Sequence, residues 1–172
     1  MAFIRARKRE HIFLHPERQG DVNMDYEPSS ILLVEDEPAH AELTERAIRK
    51  AGNANRIDVV PDGEEALDYV FNRGKYADKK KYPCPGLILL DIKLPGIDGI
   101  EVLKQIKEHP VLKKIPVIIL TTSQREEDIA QSYSHYANSY LTKPVGFKEF
   151  EERIMQIDFY WMLLNEPPTL ET

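Results

Sequence analysis

Short apolar runs recur along the chain and alternate with longer stretches whose apolar residues are spaced three or four apart. Three of these runs are unbroken, namely Ile31–Val34, Leu87–Leu90 and 117–120. An unbroken apolar run of this length is typical of a strand that is covered on both faces. Two weaker runs, at Ile57–Val60 and 139–141, also suit strands, so we expect five strands in all.

Two of the intervening helices have a clear start in the sequence. Asp62 is followed three residues later by Glu65, and Asp98 is followed by Glu101. An aspartate at the N-cap accepts a hydrogen bond from a backbone N–H of the first turn, and a glutamate three residues on completes a capping box. The second and third helices are therefore expected to begin directly after Asp62 and Asp98.

The other helices follow from the spacing of their apolar residues. The first is expected to begin near Pro38 and end at Gly52, the fourth to cover 126–136, and the fifth to run from 147 to 164. The side chains expected to face inward are Leu43, Ala47, Ala51, Leu67, Val70, Phe71, Ile100, Leu103 and Ile106.

Strands and helices alternate five times, which is the order of a parallel sheet with helices on both faces. Because crossovers between parallel strands are right-handed, few topologies remain. We predict the α/β class, with a five-stranded parallel sheet in the flavodoxin-like (β/α)5 arrangement. This domain is expected to span residues 30–164, between a leader at 1–29 and a tail at 165–172.

The leader differs from the rest of the chain because it has no sustained apolar period and carries a basic cluster at its front. No apolar run of signal-peptide length follows that cluster, so secretion is not expected. We interpret the segment as mobile and solvated, and an arm that binds nucleic acid or a membrane surface is the less favoured alternative. Met24 precedes the first strand, so translation could also begin there.

The last predicted helix carries more apolar surface than one sheet can cover. Residues 159–164 add apolar side chains on every side of a stripe formed by Phe147, Phe150, Ile154, Ile157, Trp161 and Leu164. Such a helix needs a second surface, and we expect self-association through the fourth and fifth helices. A neighbouring helix or the leader is the alternative contact. Too little chain follows Pro168 for a DNA-binding output module, so output is expected through protein contacts.

Composition and charge narrow the function classes. A chain of 172 residues and 19.9 kDa suits one domain. A net charge of −6 and a pI near 5.4 disfavour binding to a nucleic-acid backbone, and the longest apolar stretches are too short to cross a bilayer. The single cysteine, Cys84, excludes an internal disulfide and favours a reducing compartment. We therefore predict a cytoplasmic protein that binds neither nucleic acid nor membrane.

Residues with a carboxylate, hydroxyl or ammonium side chain follow four of the five predicted strands. Glu35 and Asp36 follow the first strand, Asp91 the third, Thr121 the fourth and Lys143 the fifth. The carboxyl ends of parallel strands share one edge of the sheet, and ligands bind at that edge in this architecture. We expect three carboxylates, a hydroxyl and an ammonium to meet in one pocket.

The charges of this pocket favour a divalent cation. Two like charges about 4 Å apart repel by roughly 4 kcal/mol at an effective dielectric near 20, and Lys143 cannot neutralise three acids. A site made only of oxygen ligands suits Mg²⁺. With the cation present, Asp91 is a candidate nucleophile toward a phosphoryl group, and the Thr121 hydroxyl can donate to one of its oxygens.

Four motifs, taken in order, resemble those of the response regulator receiver domains of two-component signalling. They read ILLVEDEP, LILLDIKLPGIDG, PVIILTTS and SYLTKP. Thr121 lies 30 residues beyond Asp91 (121 − 91), and Lys143 lies 52 residues beyond it (143 − 91), separations similar to those of the family. The resemblance covers the chain from about residue 30 to 164.

The resemblance implies how the phosphoryl group and the metal would be held. Asp91 would accept the phosphoryl group from a histidine kinase or a small phosphodonor. Mg²⁺ would be bound by the side chains of Asp36 and Asp91, by the backbone carbonyl of Lys93 and, through water, by Glu35. The protein would be a switch that assists its own phosphorylation and dephosphorylation, not an enzyme acting on other substrates.

The resemblance also implies how the signal would be transmitted. Lys143 would contact the phosphoryl group, and its peptide bond to Pro144 would be cis. Thr121 and Tyr140 would be the switch pair, in which the hydroxyl moves to the phosphoryl group and the aromatic ring turns inward behind it.

Three longer features resemble the subset of receivers paired with bacterial phytochrome-type kinases. They are the lysine-bearing insertion before Pro83, the TTS after the fourth strand and the extended last helix. This resemblance implies a sensor histidine kinase of that type as partner and a homodimer through the last helices.

Other functions for the same residues are less favoured. A haloacid-dehalogenase-type phosphatase also uses a nucleophilic aspartate, but it needs an acid two residues later, where this chain has Lys93. An FMN-binding flavodoxin needs a phosphate loop rich in hydroxyls and glycines, whereas the first strand here is followed by three acidic residues, 35–37. A receiver that never reacts is disfavoured because the reacting set is complete.

Overall fold

A computed structural model describes residues 30–50, 56–143 and 146–158 of the protein. Its five strands form one parallel sheet in the order β2-β1-β3-β4-β5. The strands are β1 Ile31–Val34, β2 Ile57–Val60, β3 Leu87–Leu90, β4 Val117–Thr121 and β5 Ser139–Thr142. The predicted α/β class and flavodoxin-like order are confirmed. β4 and β5 each extend one residue further than the apolar pattern indicates.

In the described parts of the chain, five α-helices connect or follow the strands. They are α1 Pro38–Lys50, α2 Gly63–Val70, α3 Gly99–Glu108, α4 Glu126–Ser134 and α5 Phe147–Asp158. Two short 3-10 turns, Gly74–Tyr76 and Leu112–Lys114, lie in the connections before β3 and β4. No helix in the described part of the chain is both long and apolar enough to span a membrane.

The helices bury the sheet on both faces. On one face, α1 packs beside α5 and contributes Ala47 and Ile48 to a core that also contains Phe150 and Ile154. On the other face, α2 and α3 cover a second core. Every residue of β1 and β3 is buried, which explains their unbroken apolar sequences. This double cover leaves the strand ends and parts of the two edge strands, β2 and β5, as the accessible parts of the sheet.

Both predicted capping residues begin their helices. The Asp62 side chain accepts a hydrogen bond from the Glu65 N–H at 2.7 Å, and the Asp98 side chain accepts one from the Glu101 N–H at 2.9 Å. These bonds satisfy backbone donors that a helix cannot pair internally. Both caps lie at the same edge of the sheet as the carboxyl ends of the strands, because α2 and α3 follow β2 and β3.

The fourth helix is shorter than the sequence predicts. It ends at Ser134 and not at Tyr136, because Tyr136 has a left-handed backbone with φ of 62°. The Ala137 N–H then donates to the Ser132 carbonyl, which closes the helix end. Apolar spacing could not reveal this stop, since Tyr136 fits a helical stripe but carries no turn signal of its own.

Some predicted core positions are only half-buried. Leu43, Phe71 and Ile100 pack against the edges of the two cores, while Ala41 and Val102 are buried instead. Several predictions lie outside the described residues, namely the leader at 1–29, the inward-facing Ala51, the helix end at Gly52, residues 159–164 of the last helix and the tail at 165–172.

Candidate functional site

Two carboxylates and one ammonium group lie together at the carboxyl ends of β1, β3 and β5. Val34 pairs with Leu90 and Thr121 pairs with Thr142, so the residues that follow these pairs reach the same edge. Glu35, Asp91 and Lys143 are all buried there. The structure thus brings these three of the five predicted groups together, while the hydroxyl of Thr121 has its hydrogen bond with Ser123.

Lys143 bridges the two buried acids. Its Nζ donates to Asp91 Oδ2 at 2.6 Å and also contacts Glu35 Oε2. All three side chains are at most 7% exposed. A charge-assisted hydrogen bond of this kind is stronger than a neutral one, and in a site shielded from water it sets the orientation of the Asp91 carboxylate.

Glu35 is a buried acid whose negative charge the surrounding groups compensate only in part. Burial raises the pKa of its carboxyl above the usual value, and the Lys143 ammonium offsets this only in part. His40, in the first turns of α1, places Nδ1 3.5 Å from Glu35 Oε1 and was not foreseen from the sequence. His40 lies five residues after Glu35, and Glu35 precedes α1, so no helical i,i+3 or i,i+4 spacing in the sequence points to this contact.

A group of carboxylate oxygens lies at the mouth of the site. One oxygen each from Glu35, Asp36 and Asp91 lies within 4.8 Å of the others, and Asp36 is exposed. Three carboxylates and one ammonium give a net charge of −2 (−3 + 1). A divalent cation would balance that charge, and the donor set, made only of oxygen, fits a hard cation such as Mg²⁺ or Mn²⁺.

The Lys93 backbone helps to hold Asp91. The Lys93 N–H donates to Asp91 Oδ1 at 3.0 Å, so both oxygens of this carboxylate have a partner. The Lys93 side chain is exposed. The isomer of the Lys143–Pro144 bond involves Pro144, which lies outside the described residues.

Thr121 and Tyr140 both form hydrogen bonds with the backbone of Ser123. Thr121 is fully buried, and its hydroxyl oxygen accepts a hydrogen bond from the Ser123 N–H at 3.3 Å. The Tyr140 hydroxyl donates to the Ser123 carbonyl at 3.0 Å. Partial burial is the main cause that raises the pKa of this phenol. The loop after β4 thus connects the two predicted switch residues by hydrogen bonds.

Ser123 is a site residue that the sequence analysis did not single out. It is buried, and its hydroxyl donates to the Asp128 carboxylate in the first turn of α4. This contact ties the loop after β4 to the start of α4. A serine two residues after a strand end, followed five residues later by an aspartate, is the only local signal for it.

Gly99 is a second residue that the sequence analysis missed. A Cβ added at Gly99 would lie 2.0 Å from the Asp91 carbonyl oxygen, far inside contact distance. The absence of a side chain therefore allows the start of α3 to pack directly against the backbone of Asp91, where the Gly99 N–H donates to the Ile92 carbonyl at 2.8 Å.

Replacing Gly99 by alanine is expected to destabilise the protein by about 1–3 kcal/mol, because the backbone beside Asp91 must move to accommodate the methyl group. Urea unfolding measures the change. Gly146→Ala is the control, since nothing lies within 4 Å of a Cβ added there. Equal stability of the two variants would contradict the close packing of α3 on Asp91.

Comparisons with known proteins identify relatives of the whole described domain. FilR2 of Methanothrix harundinacea is 42% identical over 149 residues, which cover 87% of this chain and 94% of FilR2. The Mn²⁺-bound crystal structure of Rcp1, a response regulator of Synechocystis sp., is 37% identical with a TM-score of 0.77, covering 83% of this chain and all of that one. The bacteriophytochrome response regulator AtBRR is 44% identical with a TM-score of 0.65, covering 81% and 99%.

AtBRR is a phytochrome response regulator, and so is the cyanobacterial RcpA, whose phosphorylated crystal structure is 38% identical with a TM-score of 0.77, as the sequence resemblance predicts. Receiver domains act as signalling switches and bind divalent metal ions, which agrees with the acidic group described above. The sequence pattern of the response regulator receiver domain matches residues 31–155. This chain therefore belongs to the response regulator receiver family.

Proposed function

We propose that Asp91 is the residue that accepts the phosphoryl group, with a sensor histidine kinase as the donor. The observation that carries this proposal is the buried Asp91 carboxylate, held at one oxygen by Lys143 and at the other by the Lys93 N–H. An Asp91 oxygen attacks the phosphorus, an O–P bond forms, and the N–P bond of the phosphohistidine breaks. Water later cleaves the O–P bond and restores the carboxylate.

The surrounding residues have separate roles in this proposal. Asp36 and Asp91 would hold Mg²⁺ by their side chains, the Lys93 carbonyl would add a ligand, and Glu35 would act through water. The bound ion would offset the negative charge of the transferred oxygens. Lys143 would shift its hydrogen bond from Asp91 to the phosphoryl group, which costs little because the ammonium is already desolvated and oriented.

Thr121 and Tyr140 would transmit the change to the surface. The Thr121 hydroxyl would donate to a phosphoryl oxygen and draw the loop after β4 toward Asp91. The Tyr140 hydroxyl donates a hydrogen bond to the Ser123 carbonyl of that loop, so the Tyr140 ring would move with the loop. The surface of α4 and β5 would then differ between the two states.

The proposal makes this protein a phosphorelay switch and not a phosphatase acting on other molecules. The residue two positions after Asp91 is Lys93, so the carboxylic acid that such a phosphatase needs at this position is absent. Phytochrome response regulators among the relatives support a phytochrome-type kinase as the partner. The cytoplasmic location remains a prediction of the sequence analysis.

The test of this proposal is the intact mass of the full chain after incubation with a small acyl phosphate and Mg²⁺. We expect one phosphoryl group per chain, lost again on standing as the acyl phosphate hydrolyses. No gain in mass at any magnesium concentration would contradict it. Multiple turnovers on a phosphomonoester would instead support the phosphatase alternative.

We also propose that the receiver domain spans residues 30–164 and forms a homodimer through α4 and the last helix. Tyr133 and Tyr136, in and just after α4, are 52% and 77% exposed and rank among the few large hydrophobic side chains at the surface of the described residues. Exposed aromatic side chains of this kind are typical anchors of protein interfaces.

A Tyr133→Ser/Tyr136→Ser variant is expected to weaken dimerisation at least about tenfold, the effect of about 1.4 kcal/mol. Sedimentation of the full chain, with and without beryllofluoride as a phosphoryl mimic, measures it. A Val59→Ser variant is the control, because Val59 is exposed on the opposite edge strand. A wild-type monomer in both states would reject the dimer.

A further inference from the structure

A groove lies at the end of the sheet opposite Asp91, between the loop before β3 and the turn that follows α3. Its cavity of about 450 Å³ has walls that include Phe71, Pro83 and the buried Leu112. That volume is in the range of pockets that hold a ligand or a short peptide. The proposed phosphoryl transfer does not use this groove.

One lysine lines the groove, and two more follow it directly in the sequence. Lys79 lines the groove, and the two lysines that follow it, at 80 and 81, are also exposed. His109 lines it too, and its Nδ1 accepts hydrogen bonds from the backbone N–H groups of Val111 and Leu112. This leaves the proton of the neutral imidazole on Nε2. The groove thus combines an apolar wall with cationic and donor groups at its edge.

The chain itself carries a segment that matches this groove in pattern and charge. Residues 21–27 read DVNMDYE, a strict alternation in which Val22, Met24 and Tyr26 fall on one side of an extended chain. The other side carries three carboxylates and one amide. Alternation of this kind is typical of an extended segment that buries one face.

Ser30, the residue that follows this segment, lies close to the groove. The Ser30 carbonyl accepts a hydrogen bond from the Gly86 N–H at 2.8 Å, and Cys84, two residues before Gly86, lines the groove. Nine extended residues span up to about 30 Å, so residues 21–29 can reach every part of it. The short tether also gives the segment a high effective concentration at the groove.

We propose that residues 21–29 bind this groove in an extended conformation, with their apolar side chains against its wall and their carboxylates paired with Lys79 and the two exposed lysines that follow it. Lysine stems are long enough to reach around a bound strand while their ammonium groups stay in water. The leader predicted from the sequence would then be mobile only in its first 20 residues. The proposal is independent of phosphorylation at Asp91.

The thiol of Cys84 offers a direct probe, because Cys84 is the only cysteine of the chain and lines the groove. A bound segment should shield it from alkylation by iodoacetamide, a neutral reagent. We expect the full-length Met24→Ser/Tyr26→Ser variant to be alkylated about tenfold faster than the wild type, as about 1.4 kcal/mol of lost binding would produce.

The control is Phe13→Ser/Leu14→Ser, which removes as much apolar surface from the leader outside the alternating segment. It should be alkylated at the wild-type rate, and a cooperative thermal transition in each variant shows that the domain is folded. Equal rates for Met24→Ser/Tyr26→Ser and the wild type would overturn the proposal. Protection that increases with protein concentration would place a second copy in the groove and would also overturn it.

Discussion

An Asp91→Asn variant is expected to take up no phosphoryl group from a small acyl phosphate or from a kinase. The amide has nearly the same shape and can still accept the hydrogen bond that Lys143 donates at 2.6 Å. It lacks the anionic oxygen that attacks phosphorus, so the reaction is lost while the site keeps its packing. Intact mass measures the uptake, and urea unfolding measures the stability.

The matched control for this substitution is Asp78→Asn, which makes the same chemical change at an exposed loop aspartate. We expect Asp78→Asn to be phosphorylated like the wild type. We also expect Asp91→Asn to be at least as stable as the wild type without metal, because one of the clustered negative charges is removed. Undiminished phosphoryl uptake by Asp91→Asn would mean that another residue is the acceptor.

A Lys143→Met variant is expected to lose about 3–5 kcal/mol of stability at neutral pH without divalent metal. Methionine fills a similar volume, but it leaves the buried carboxylates of Glu35 and Asp91 without their ammonium partner. Breaking a buried ion pair from one side has this effect because the remaining charges stay desolvated and unpaired. Urea unfolding measures the loss, and Lys148→Met, at an exposed position of α5, is the control.

The pH dependence of this variant follows from Glu35. Burial raises the pKa of Glu35 above the usual 4.5 already in the wild type, and loss of Lys143 should raise it further. A carboxyl whose pKa is raised by folding contributes stability below its unfolded pKa, and that stability is lost as the pH rises through the folded pKa. Lys143→Met should therefore recover toward wild-type stability as the pH is lowered toward 4.5.

Magnesium should also stabilise Lys143→Met, since a divalent cation can replace the missing positive charge. A stability loss that is the same at every pH and magnesium concentration would show that packing, not charge, explains the effect of this lysine. Such a result would remove the electrostatic basis of the proposed site.

The main site residues could be predicted from the sequence because topology places them. Glu35, Asp91 and Lys143 each follow a different apolar run, and parallel strands necessarily bring such positions to one edge. Their convergence needs no knowledge of side-chain packing. The caps at Asp62 and Asp98 were predictable for a similar reason, since each bond spans only three residues.

Other features depend on distances that no local pattern contains. Gly99 matters because α3 approaches the Asp91 backbone, and that approach is set by how the helix packs on the sheet. The contact of Ser123 with Asp128 depends on the path of the loop after β4. Helical spacing predicted the inward face that includes Phe71 and Ile100, but their half-burial depends on what covers that face.

The measurement that tests the central claim most directly is the location of the phosphoryl group in the wild-type protein. Borohydride reduces an aspartyl phosphate to homoserine, which marks the acceptor in the peptide masses. After reaction with a small acyl phosphate and Mg²⁺, we expect homoserine at position 91 alone, and none when EDTA removes the metal. Homoserine at Asp36, or at position 91 in equal yield with EDTA, would contradict a metal-assisted reaction at Asp91.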